Sequence, residues 1–165
     1  MTGFASLLCL GLVACSSSST SEWRTFYGIE YRTSKASSSS IVDSVLPGPG
    51  GLGGSPVGER PVVTISEAGP HGFYVTITKS SYAMTLDAAK ATLLSNKIGE
   101  QLVGKTTPTG FELAGVQTSP GGPSTPFHEI YVDLAGGHYD CLYADANCAD
   151  PAAAEALCRS MRVAD

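Results

Sequence analysis

The chain has 165 residues, of which 42% are hydrophobic and 15% charged, with a formal net charge of −5. That length allows one domain and little more, and that composition excludes a wholly disordered tail. An acidic chain without a Lys/Arg run also excludes the clustered basic face that a phosphate backbone needs, so no nucleic-acid partner is expected.

Met1 to Ala14 is an apolar stretch, and Cys15 and a serine run follow it. It is too short for a bilayer span of ~20 apolar residues, and its length suits the greasy core of a signal peptide. Leu12-Val13-Ala14-Cys15 resembles the lipobox of bacterial lipoproteins. The resemblance implies cleavage before Cys15, lipid on its sulfur and amine, and the membrane as a partner through that lipid. Two or three acyl chains hold firmly where one anchors only marginally. By the same resemblance Ser16 favours the outer membrane, with the domain facing the periplasm or else the cell surface. Residues 15–22 then read as a Ser-rich tether.

Residues 23–33 alternate, with Trp23, Thr25, Tyr27, Ile29 and Tyr31 on one side, which predicts one half-buried N-terminal strand. Residues 34–60 combine Ser37 to Ser40 with the Pro/Gly run from Pro47 to Pro56. That composition predicts a flexible segment, with a globular α+β domain over 61–165. There, Val62 to Ile65 and Phe73 to Thr78 predict strands, and Thr85 to Ile98 predicts a helix capped by Thr85. Its stripe of Leu86, Ala89 and Leu93 is broken by lysines, so shallow packing on a sheet is expected. Phe111 to Val116 predicts a further strand.

Phe127 to Leu134 and His138 to Ala144 flank Ala135-Gly136-Gly137. A Gly136-Gly137 turn would set Leu134 against Tyr139, Val132 against Cys141 and Ile130 against Tyr143. On the other face it would set Asp133 against Asp140, with Glu129 nearby. Asp150 and Pro151 then open a helix, and Ala154, Leu157, Cys158 and Met161 share one of its faces. Cys141 and Cys158 thus point into one core. In an exported chain they are the first disulfide candidates, with Cys148–Cys158 as the alternative.

Tyr139-Asp140-Cys141 followed by a helix ending Cys158-Arg159-Ser160-Met161-Arg162 resembles the C-terminal part of small bacterial lipoproteins with a Mog1/PsbP-like sandwich. The resemblance reaches at most from Pro61 to Val163. It implies a mainly antiparallel twisted sheet of about five to six strands covered by two principal helices, used as a binding or scaffold module.

His71, His128 and His138 have no zinc-ligand spacing, and His138 and Cys141 fall on opposite strand faces. Asp133, Asp140 and Glu129 form a weak calcium candidate, against a solvated sheet face. No nucleophile elbow, Cys-x-x-Cys or nucleotide fingerprint in context occurs, so no cofactor is expected. The expectation is a lipid-anchored, non-enzymatic envelope binding or scaffold module with an envelope protein partner. The competing expectation is a small-ligand or calcium-binding protein, or an enzyme, using the acidic sheet face or a pocket between sheet and helix.

Overall fold

The computed structural model describes residues 20–45, 59–69, 72–96, 99–118, 123–134 and 136–165. Met1 to Ala14, Cys15, the Pro/Gly run and His71 lie outside them. The described residues form an α+β fold of ten strands in two antiparallel sheets and two α-helices, more strands than the five or six expected. None of these helices is long and apolar enough to cross a membrane.

Residues 23–33 are a hairpin, not one strand. β1 (Ser21–Phe26) and β2 (Ile29–Ser34) pair through a turn at Tyr27-Gly28, whose φ angles are 47° and 100°. Two positive φ values are what a two-residue hairpin turn requires. Because Phe26 pairs with Ile29, it joins Ile29, Tyr31 and Thr33 on the buried side. Trp23 remains outside, with the Arg162 guanidinium 3.8 Å above its ring.

The serine-rich stretch is also strand. β3 (Ser38–Val45) pairs along its length with β4 (Glu59–Glu67). It lies at a sheet edge, where ladder bonds reach one neighbour and polar side chains stay in water. β5 (Phe73–Ser80), β6 (Gly99–Thr107), β7 (Gly110–Gln117), β8 (Thr125–Leu134) and β9 (Gly137–Ala144) complete this sheet, in the order β3-β4-β5-β9-β8-β7-β6. The short β10 (Arg162–Val163) pairs with β2.

Each face of the large sheet carries its own core. On one, Ile65, Val75, Ile77, Tyr139 and Cys141 are sealed beneath α2 (Pro151–Arg159) and the β1–β2 hairpin. Asp150 caps α2 by accepting from the Ala153 amide, Pro151 fills the first turn, and Ala154, Leu157 and Cys158 are buried. Cys141 and Cys158 are joined by a disulfide, with their Cα atoms 5.6 Å apart. Cys148 is a buried free thiol that donates to the Tyr74 carbonyl oxygen at 3.8 Å, so the pairing Cys148–Cys158 does not form.

The other face holds a smaller core of Phe111, Leu113, Phe127 and Tyr131 beneath α1 (Leu86–Ser95). The Thr85 hydroxyl caps α1 by accepting from the Ala88 amide at 3.2 Å. Ala89 alone of its residues is fully buried, which is the shallow packing its broken stripe predicts.

The β8–β9 register differs from expectation by two residues. Leu134 pairs with Gly137, and Gly136 just before it takes φ 72°. Ile130 therefore faces Cys141, and Asp133 faces His138 instead of Asp140. A shift of two keeps every side chain on its expected face, and it replaces a like-charge pair with Asp133–His138 at 2.6 Å.

Candidate functional site

The α1 face of the sheet is only partly covered, and a cavity of about 270 Å³ opens between helix and strands. Met84, Ala89, Thr92 and Leu93 line it from the helix side, and Gln117, Phe127, Glu129, Asp140 and Leu142 from the sheet. It exists because α1 rests on β6 and β7, so the helix stops short of β9. Side chains from β8 and β9 then form an open floor.

The floor carries the site's chemistry. Glu129 lies on β8 opposite Leu142, and Asp140 lies on β9 opposite Tyr131, so the two carboxyls face each other on the diagonal, close enough for each to act on the other's titration. Two carboxyls can hydrogen-bond to each other only when one of them is protonated. Burial pushes Glu129 above the ordinary carboxylate range. It pushes Asp140 well above it, and the Glu129 charge adds to the shift, while Arg60 acts weakly the other way. Both shifts favour the protonated form of the pair. Asp140 Oδ1 is enclosed and accepts no hydrogen bond from any described residue.

Both groups bind protons more tightly folded than unfolded, so stability is full below the ordinary carboxylate range. It falls as pH rises through the pair's raised values, at up to ~1.4 kcal/mol per pH unit for each extra proton held. Asp140→Asn is expected to flatten that slope and to leave the protein more stable than wild type at neutral pH. Urea midpoints from pH 4 to pH 8 check this, and parallel curves would refute it.

A polar chain anchors the cavity's helical wall. The Tyr131 hydroxyl accepts from the Met84 amide at 2.8 Å, just ahead of α1, and interacts with the Asp133 carboxylate. Burial first, with Asp133 and Asp140 adding, pushes the Tyr131 phenol up to about 12, so it stays protonated. Its ring stacks on Phe111 with centroids 4.8 Å apart. The strand that supplies Glu129 thus also fixes where the helix begins.

Of the three acidic candidates, the fold brings Glu129 and Asp140 together and leaves Asp133 with His138. Among the described residues, no group of three or more His, Cys, Asp or Glu is placed to hold a metal ion. Sequence reasoning missed the apolar walls, Met84, Phe127 and Leu142. Their one signal was that Phe127 and Leu142 share strand parity with Glu129 and Asp140.

A second cavity of about 260 Å³ lies at the edge of α2, lined in part by Glu112, His128, Tyr143, Glu155 and Arg159. Its charges answer one another. Arg159 binds Glu112 through two nitrogens at 2.7 and 3.0 Å and also binds Glu155 at 2.7 Å. The Arg159 hydrogen bond holds Glu112 down at about 2. His128 stacks on Tyr143 and lies 3.2 Å from Asp145. A site whose charges are already matched has less to offer a ligand than the carboxyl pair beneath α1. Comparison with family models, with curated proteins and with solved structures finds no match to this chain.

Proposed function

We propose that this chain is an exported, lipid-anchored binding module of the bacterial envelope that takes a small ligand in the cavity beneath α1. The observation that carries the binding reading is that cavity, an apolar enclosure with two convergent carboxyls as its ionisable lining residues. Small-ligand sites combine mostly apolar walls with a few placed polar groups in this way. The anchor rests on the lipobox resemblance at Leu12 to Cys15. A disulfide between buried cysteines also suits an oxidising compartment.

At the level of fold, the reading keeps the likeness to Mog1/PsbP-like lipoproteins. It is supported by an antiparallel sheet with helices on both faces and by the Cys141 strand tied to the Cys158 helix. An envelope protein partner would have a place beside the cavity, where Val42, Tyr74 and Leu142 are exposed.

The address is tested by the intact mass of the protein from the membrane fraction of its own host. A chain beginning at an acylated Cys15, released to the soluble fraction by Cys15→Ser, supports the proposal. An unprocessed chain, or one whose membrane association survives Cys15→Ser, overturns the anchor.

A further inference from the structure

Resting on that reading of the cavity, we infer that its ligand is a small organic cation, an ammonium on an apolar body, whose charge is received by the Glu129–Asp140 pair. The walls and floor divide the ligand's chemistry between them. Met84, Leu93, Phe127 and Leu142 offer apolar contact. The polar end is acidic. Asp140 Oδ1 accepts no hydrogen bond from any described residue, and leaving a buried acceptor unpaired costs ~1–3 kcal/mol. A donor arriving from the cavity would remove that cost.

The ligand's charge sign follows from the same pair. An anionic ligand would meet two carboxyls, and a neutral one would leave the pair as it is. A cation does more, because it stabilises the doubly ionised state that burial alone disfavours. A proton held by the pair then leaves to buffer, and the ammonium takes its place as the counter-charge. Charge balances: a pair carrying one negative charge plus a monocation becomes a pair carrying two, with the cation bound and one proton released. A free metal ion fits less well, since two carboxylates fall short of the six to eight oxygens that calcium takes. The volume, about 270 Å³, lies just under the ~300–1,000 Å³ of sites for drug-sized molecules, so a short ligand is indicated.

The probes are benzylamine, benzyl alcohol and benzoate, which share a body and differ in charge. Each is titrated into the full chain at pH 7 and followed through backbone amide shifts, with calorimetry in two buffers of different ionisation heat. Benzylamine is expected to shift the amides of Thr92, Phe127 and Leu142 and to release protons. Benzyl alcohol is expected to bind at least tenfold more weakly, and benzoate not to register. Asp140→Asn and Glu129→Gln are near-isosteric, and each is expected to weaken benzylamine at least tenfold while the amide spectrum stays folded. If benzyl alcohol or benzoate occupies the cavity as tightly as benzylamine, the cation assignment is overturned and the cavity reading stands. Benzylamine binding that survives both substitutions also overturns it. If none of the three shifts those amides, the cavity reading falls with it.

Discussion

Replacing Cys141 and Cys158 together with alanine is expected to lower the unfolding free energy by about 3 kcal/mol, the loop-entropy value for cysteines 17 residues apart. In a domain of this size that corresponds to a fall in Tm of roughly 10 °C. The bond's position adds to the effect. β9 is the central strand of seven, and Cys158 lies on the buried face of α2 with Ala154 and Leu157, so the bridge ties the helix to the middle of the sheet. Both sulfurs lie in the core with Ile77 and Leu157, and removing them also leaves space that neighbours fill only in part. Reduction of the wild-type protein should reproduce the shift, and Cys148→Ala should not lose a bridge. A double variant that unfolds within 0.5 kcal/mol of wild type, a margin typical of surface changes, would show that the bridge contributes nothing.

Gly110→Ala is expected to cost about as much, ~3 kcal/mol, by a different route. Gly110 opens β7 at φ 155°, and a Cβ there would stand 2.1 Å from the Tyr131 carbonyl oxygen and 2.9 Å from its carbon. Both obstacles are backbone, and β8 is held between β7 and β9, so neither strand can step aside. Gly136→Ala is the control. It also has a positive φ, 72°, but no atom lies within 4 Å of its Cβ position, so only the conformational cost of ~1–2 kcal/mol applies. Equal denaturant midpoints for the two variants would count against the clash. Since Tyr131 also accepts from the Met84 amide, Gly110→Ala should weaken ligand binding beneath α1 as well.

The sequence disclosed faces better than registers. Cys141 and Ile130 were legible as core from period two, and Asp150-Pro151 as a helix start, because side-chain parity and capping are local. The β8–β9 register was not legible. Shifting the pairing by two residues moves no side chain to the other face, so the hydrophobic pattern fits both registers equally. Only the backbone of the turn decides, and both Ala135-Gly136 and Gly136-Gly137 read as turns. The β1–β2 hairpin was hidden for a related reason, since Tyr27 is a non-glycine residue at positive φ. β6 was hidden by its bulge, where the register slips between Glu100 and Val103 and Gln101 takes φ 52°, so the alternation breaks mid-strand. At the candidate site, Glu129 and Asp140 were legible as acidic groups on one face. Their diagonal contact depends on the register, and the cavity above them depends on where α1 comes to rest.

The pairing of β10 with β2 has a consequence for how the chain acquires its shape. Arg162 reaches Glu30 across 132 positions of sequence, and the Ala164 amide donates to the Gly28 carbonyl oxygen at 3.1 Å. Ile29 and Tyr31, among the most buried side chains, belong to a hairpin whose fastening comes from the far end of the described sequence. Contacts of such separation are slow to form because a large loop must close before they stabilise anything. During synthesis this hairpin emerges before the other described elements, and the last of them, β10, fastens it. Its apolar face then stays uncovered for nearly the whole interval, and whatever escorts the chain must shield that face.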